Sequence, residues 1–433
     1  MWQFWVRLRN YMSVQIWLRP ALASLAFVAL VVAALWSGQF YTGPLPIELS
    51  NEALKSLLSI FASSMLAVAT FSVSAVVTAV AAVSSSTTPR ASRLVLADTT
   101  TQNVLSSFIA AFVYSVIGIL AIEAFAFDRF SRFVIFVGLA AIISWVLVAF
   151  VRWIDHVTKL GRVETGIEKI AEVAMKSMVA ENVGAWGAKI YDGSSPVAAA
   201  VVSANKVGYV TELNVSGLQQ LARELDVAIY LTVRPGDFVD TTMPIAYVTP
   251  ISDRVRANCE KVAEHVAVSE QREYGADVRF GLVNLAETAD RALSPGINDP
   301  GTAIAILGRQ LAVMTRWAEV SQEVAARDIV FDHVFIPPLT AVELVRDCFT
   351  PIARDGAGMV EVAIRLQKTL AALVRLDVAE LTEAAVAMSH EALELAERAL
   401  VAEAHKIRVR DAAKKVHRLA FEQSKGNAEA GSE

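Results

Sequence analysis

The sequence predicts an α-helical membrane bundle of four transmembrane helices joined to a cytosolic α+β region, in which a small β-rich, barrel-like module precedes an all-α C-terminal domain. Three observations carry that class. Four long apolar runs crowd into the first 153 residues, Val/Ile/Tyr-rich runs alternate with turn residues over 197–250, and apolar residues return to helical spacing after about 252. The composition agrees, with 55% hydrophobic and 19% charged residues and a mean hydropathy of +0.46 over 433 residues. A chain of this length exceeds one compact core, so several domains are expected.

The apolar runs lie at about 16–38, 57–83, 104–126 and 133–151. Each supplies the roughly 20 residues that cross a bilayer core of about 30 Å, and none alternates as a barrel strand would. Arg7, Arg9 and Arg19 precede the first run, but residues 34–43 contain no small-x-small cleavage pattern, so it is expected to be retained as a helix. Arg90 and Arg93 lie between the second and third runs, and Arg152, Lys159 and Arg162 follow the fourth, whereas residues 41–50 hold no basic residue. Arg129 and Arg132 run against this bias, but the balance places both termini in the cytoplasm. Residues 1–15 form an amphipathic segment, and Trp17, Trp36, Tyr41 and Trp153 are expected as interfacial anchors.

Within the 16–153 membrane domain, Ser56, Ser59, Ser63, Thr70, Ser74, Thr78 and Ser85 recur at helical spacing along one face of the second run. Small hydroxyl residues of this kind serve close helix packing, or they line a water-filled pathway when several copies turn them to a shared axis. These seven residues are the pore-lining candidates. Ser107, Ala111, Ser115 and Gly118 form a small-residue face on the third run, and Glu123 at its end is expected to reach the interface or pair with Arg129 or Arg132.

A connecting helix is expected within 154–195, then the β-rich module at 196–251 with strands near 197–203, 207–213, 226–233 and 244–249 and one helix near 215–224. The segment Arg234-Pro235-Gly236-Asp237-Phe238-Val239, followed by Pro244-Ile245-Ala246-Tyr247-Val248, resembles the Pro-Gly-Asp hairpin of the biotinyl/lipoyl-like barrel-sandwich modules. No carrier lysine accompanies it, so no attached cofactor is implied. Residues 252–423 read as helical throughout, and 424–433 as a disordered tail.

One corner interrupts that helical domain. Pro295 ends a helix near Leu293, and Asp299 before Pro300 starts the next as an N-cap. Asp277, Arg279, Arg291, Ser294, Asn298 and Asp299 cluster in sequence around it as candidates for binding a small ion or a cytosolic ligand. Capping alone also accounts for them.

Here a family resemblance enters. The string Arg-Ala-Leu-Ser-Pro-Gly-Ile-Asn-Asp-Pro at 291–300, downstream of Gly208-Tyr209-Val210 and Pro235-Gly236-Asp237 and behind the four spans, resembles a bacterial predicted-membrane-protein family known only as a domain of unknown function. Members of that family tend to carry an Arg-Thr-x-x-Gln-Asp-like stretch before a Phe-Gly pair. This chain departs from it, with residues 269–277 reading Ser-Glu-Gln-Arg-Glu-Tyr-Gly-Ala-Asp before Phe280-Gly281. The resemblance implies a bacterial inner-membrane protein and supplies no activity.

Several classes are disfavoured. A net charge of −5 without a basic, aromatic-interleaved stretch argues against nucleic acid as a partner. Cys259 and Cys348 have no metal-ligand spacing, and His156, His265, His333 and His405 sit outside any triad-like or His-Glu-x-x-His context. No Walker A, dinucleotide or nucleophile-elbow motif occurs, so neither a catalytic residue nor a metal or cofactor site is expected. The expected partners are the lipid bilayer, further copies of the chain, and a small ion or cytosolic ligand. Two functions follow: an oligomeric, channel-like protein with a pathway lined by the second helix, or a non-conducting sensor or scaffold that binds a ligand or protein through the β module and the 294–300 corner.

Overall fold

The computed structural model describes residues 18–37, 49–86, 88, 90, 99–125, 128–160, 162–194 and 196–430. The 1–15 segment therefore lies outside the described residues, as do Trp17, Tyr41 and the side chain of Trp36. The chain forms two compact units, within Trp5–Gly166 and Ile167–Glu433.

The N-terminal unit contains α1 (Leu18–Ser37), α2 (Asn51–Ser86), α3 (Thr99–Ala124) and α4 (Arg129–Leu160). Helix α3 is the central element, packed against all three others. Its small face explains why: Ala111 and Ser115 are fully buried, and a Cβ on Gly118 would sit 3.2 Å from Leu58 of α2. The Tyr114 hydroxyl donates to the Ile135 carbonyl at 2.9 Å, locking α3 to α4. Among the described residues, the segments Asn51–Ser84, Thr100–Ala124 and Arg129–Lys159 are long and apolar enough to cross a membrane, whereas the apolar part of α1 is shorter, Ala21–Ala33.

Three expectations for this unit change. Glu123 pairs with Lys55 of α2 at 2.5 Å rather than with Arg129 or Arg132, because packing of α2 on α3 brings the start of one helix to the end of the other. Trp153 is 1% exposed, so it is a packing residue and not an anchor. The fourth apolar helix also continues to Leu160 without a break, taking in residues assigned to the connecting helix.

The second unit begins within α5 (Val163–Ser177), continues with α6 (Ala180–Val183) and then builds two sheets. The strands are β1 (Ala188–Ile190), β2 (Ala200–Ser203), β3 (Gly208–Leu213), β4 (Ala228–Leu231), β5 (Phe238–Val239), β6 (Pro244–Thr249), β7 (Val266–Ser269) and β8 (Phe331–Ile336). One sheet has the order β1-β8-β4-β6-β2, parallel from β1 to β4 and antiparallel beyond, and the other is an antiparallel β5-β3-β7. Helix α7 (Val215–Leu225) and the short α8 (Asp253–Arg256) and α9 (Cys259–Glu264) accompany them. A single apolar core joins both sheets, from Val202 and Val210 through Leu218 and Ile229 to Val334 and Ile336.

This architecture corrects the sequence reading in two places. The Pro-Gly-Asp segment does not form a hairpin, because β5 pairs with β3 while β6 pairs with β2 and β4. Residues 252–423 are not helical throughout, because β7 completes the smaller sheet and β8 lies between β1 and β4 of the larger one. Alternation in Phe331-Asp332-His333-Val334-Phe335-Ile336 buries Val334 and Ile336 fully and leaves Asp332 outside, where Gln219 and Arg223 of α7 bind it.

The helices α10 (Val278–Leu293), α11 (Pro300–Ala325), α12 (Ala341–Asp355), α13 (Val360–Val374), α14 (Ala379–Ala399) and α15 (Glu403–Ala430) form the rest. Two buried polar links tie these helices together: Gln367 and Ser389 bond each other across α13 and α14, and the Gln310 amide donates to the Cys348 carbonyl. Helix α15 runs to Ala430, so the expected disordered tail is helical except for residues 431–433, which lie outside the described residues.

Candidate functional site

The hydroxyl face of α2 has a definite direction. Leu54, Leu58, Ala62, Met65, Ala69, Ser72, Val76, Ala79 and Val83 are buried, whereas Ser56, Ser59, Ser63, Thr70, Ser74 and Thr78 are exposed. At about 100° per residue the two sets lie on nearly opposite sides of the helix. Leu66, Val73 and Val77 flank the hydroxyls on one side, Ile60 and Phe71 on the other, and all five are exposed. Packing within the N-terminal unit therefore does not use the stripe. Each hydroxyl of Ser63, Thr70, Ser74 and Thr78 donates to a carbonyl one turn back, at 2.8–3.1 Å. The side chain of Ser85 lies outside the described residues.

In the second unit the six sequence candidates separate. Asp277 caps the start of α10 and Arg279 lies in its first turn, while Arg291, Ser294, Asn298 and Asp299 stand at its far end. Sixteen residues of helix hold the two groups about 24 Å apart, at 1.5 Å per residue. The far corner satisfies itself. The Ser294 hydroxyl donates to the Arg291 carbonyl at 2.6 Å, Asn298 N–H to the Ser294 carbonyl at 2.8 Å, and Asp299 accepts from the Thr302 amide and hydroxyl. Asn298 takes a positive φ of 53° to turn the chain, and residues 295–299 are exposed.

The near end of α10 is a different kind of place. Asp277, 1% exposed, accepts the amides of Arg279 and Phe280 and a two-pronged contact from Arg272, with Nε at 2.7 Å and a terminal nitrogen at 3.0 Å. Gly236 of the Pro-Gly-Asp turn lies directly over that carboxylate, at φ +100°, and a Cβ there would be 2.6 Å from it. Glycine is therefore required at this turn for space as well as conformation. Burial pushes the Asp277 carboxyl upward, and Arg272 opposes the shift.

Beside this pair, four segments form a cleft of about 150 Å³: Asn182–Trp186, the Arg234–Asp237 turn, the start of α10, and Pro337–Glu343. Arg234 is 8% exposed. Its guanidinium donates to the carbonyls of Pro337, Asn182 and Gly184, lies over the Trp186 ring, and is shifted by burial down to about 10. Arg279 binds Asp347 at 2.6 Å and approaches Glu343 at 3.4 Å and Asp237 at 3.9 Å. Burial alone would lower its pKa, but those carboxylates raise it. Burial also raises Asp237, which accepts the Arg234 amide at 2.7 Å. The cleft thus presents balanced charges, and Thr232, the hydroxyl residue that lines it, is already bonded to the Pro244 carbonyl. Among the described residues no cluster of His, Cys, Asp or Glu suits a metal ion.

Sequence reasoning found Asp277 and Arg279 but missed Arg234, Asp237, Arg272, Glu343 and Asp347. The Pro-Gly-Asp motif was the signal for two of them, obscured by its reading as a hairpin. Arg272, within residues 269–277, pairs with Asp277 through both prongs of its guanidinium.

A family model described as a predicted membrane protein, DUF2254, matches residues 13–372. The chain belongs to this family. The DUF2254 match takes in α2 and every segment of the cleft, and ends before α14 and α15. Among curated proteins, the chain is similar to the uncharacterized proteins Mb1321c of Mycobacterium bovis and Rv1290c of Mycobacterium tuberculosis, each 27% identical over 236 residues. Those matches cover 51% of this chain and 44% of each relative, so the chain spans under half the length of these relatives. No solved structure matches it.

Proposed function

We propose that this membrane protein is a homo-oligomer of the bacterial inner membrane in which α2 turns its Ser/Thr face to a pathway shared between subunits, a channel-like role regulated by the C-terminal unit. The observation that carries the reading is the direction of that face, opposite to everything α2 packs against within its own unit. The hydroxyls of Thr70, Ser74 and Thr78 donate to carbonyls of their own helix, so exposing them to a narrow pathway leaves none of these donors unsatisfied. Four membrane crossings complete the topology: α1, at 20 residues, is about 30 Å long and matches a bilayer core. The basic flanks orient both termini to the cytoplasm.

Ion flux into liposomes containing the full chain tests the proposal. Ser74→Leu and Thr78→Leu should abolish flux while leaving assembly intact, and Ser63→Cys and Thr70→Cys should crosslink between subunits. Flux indifferent to both leucine substitutions, in a chain that still assembles, would sink the idea.

A second reading, a non-conducting sensor or scaffold, is favoured by the Arg234–Asp237–Arg279–Glu343 cleft rather than by the 294–300 corner. The cleft is polar, and Arg234 is buried in it with its guanidinium held by fixed carbonyl partners, a perturbed charge of the kind that marks candidate binding sites. Thermal shifts of the solubilised protein with nucleotides and divalent metals separate the readings. A shift lost in Glu343→Gln supports the sensor, and absence of any shift removes it.

A further inference from the structure

A second cleft, of about 500 Å³, opens between α11, α13 and α15. Its lining includes Arg365, Lys368 and Arg375 from α13 and its C-cap, and Lys415 and Arg418 from α15, without any carboxylate. In a chain of net charge −5 such a concentration of cations is not an average surface. A solvated basic face is the simplest account of lysines and arginines along a helix. Two buried atoms argue against it here. Thr369, 2% exposed, lines the cleft with its Oγ1 unpartnered, and Arg365 lines it with a buried Nε that has no acceptor.

A buried donor left without an acceptor is destabilising. Two such donors side by side on one helix, one turn apart, call for an acceptor from outside the chain. Helix α11 closes one side of the cleft with Leu311 and passes Arg365 at Gly308, whose Cβ position lies 3.6 Å from a terminal guanidinium nitrogen. Of the five cations, Arg418 has Glu422 as a distant partner at 3.8 Å. The others gather on facing helices, where mutual repulsion is relieved by a bound anion.

We propose that this cleft binds a compact polyanion carrying two or more phosphate groups, either free in solution or as a lipid headgroup. Phosphate oxygens accept from the Arg365 fork and from the Thr369 hydroxyl together, and Lys368, Arg375, Lys415 and Arg418 supply the charge around them. The volume suits a ligand of nucleotide size. The site is separate from the Arg234 cleft and does not depend on either functional reading above.

The test uses the full chain with two probes. Inorganic tripolyphosphate is titrated by calorimetry into protein held in phosphatidylcholine nanodiscs, and thermal stability is compared between those nanodiscs and others containing roughly one-fifth cardiolipin. Saturable tripolyphosphate binding that weakens with salt is expected, reduced about tenfold in Lys415→Gln and in Arg365→Gln. Lys414→Gln, which neutralises a neighbour paired with Asp411 outside the lining, should change nothing. A stabilisation confined to cardiolipin nanodiscs and lost in Lys415→Gln assigns the site to a lipid headgroup. Tripolyphosphate binding without that lipid effect assigns it to a free anion. Lys415 is exposed, so its variant keeps the test valid where Arg365→Gln fails to fold. Absence of response to both probes, or an equal loss in Lys414→Gln, overturns the proposal.

Discussion

The two ends of α10 hold the two halves of one sequence cluster and behave oppositely. At the start, Asp277 is buried under Gly236, gripped by Arg272, and set beside the charges of Arg279 and Arg234. At the end, Ser294, Asn298 and Asp299 bond only to neighbours within a few residues and face solvent. Both ends satisfy the same need, the unpaired backbone groups of helix termini. The difference is that one cap also serves as the anchor of a long-range charge network, while the other remains local. Residues adjacent in a motif therefore do not form a site unless the helix between them is short.

The largest effect that could break this comparison lies at the buried end. Asp277→Ala strips Arg272 of its partner and α10 of its cap, and should destabilise the C-terminal unit by about 3–5 kcal/mol, read as a lowered denaturation midpoint. Gly236→Ala should be of similar severity, since a Cβ meets that carboxylate at 2.6 Å in a left-handed turn. If either were nearly neutral, the near end would be as local as the far one.

Asp290 lies between the ends and adds a pH signature. Its carboxyl is pushed up to about 6, by burial first and by Asp355 second, against Arg354. A folded pKa above the unfolded one means that the contribution is fully present below about pH 4 and is lost as pH rises through about 6. Between those limits the wild type should lose on the order of 1 kcal/mol that Asp290→Asn does not lose. Parallel stability profiles for the two proteins would contradict the shift.

The far end should be milder. Asp299→Ala removes one cap and should cost about 1 kcal/mol, whereas Ser294→Ala should stay within about 0.5 kcal/mol. A loss at Asp299 as large as that at Asp277 would mean that the exposed corner has partners beyond its own turn. Thermal melts of the four variants in one detergent rank them directly.

Much of the fold was legible because it is local. Apolar runs marked α2, α3 and α4, helical spacing put the six exposed hydroxyls of α2 on one face, and Asp299-Pro300 marked the start of α11. The strand pattern at 200–249 was also readable, together with α7. What escaped was non-local. Strand β8 is six residues long within a helical context, and its partners β1 and β4 lie roughly 100 to 140 residues upstream in the chain.

The amino-acid sequence by itself determined that α2, α3 and α4 are helices apolar enough for a membrane, and where α10 and α11 meet at a capped corner, because those properties depend on neighbours within a turn or two. Only the tertiary structure decided that the hydroxyl face of α2 points away from its bundle, that Glu123 meets Lys55, and that Arg234, Asp237, Arg279 and Glu343 share a cleft. Those outcomes depend on which surfaces are buried together. A charge finds its partner through the packing of distant segments, and no spacing rule within one helix contains that information.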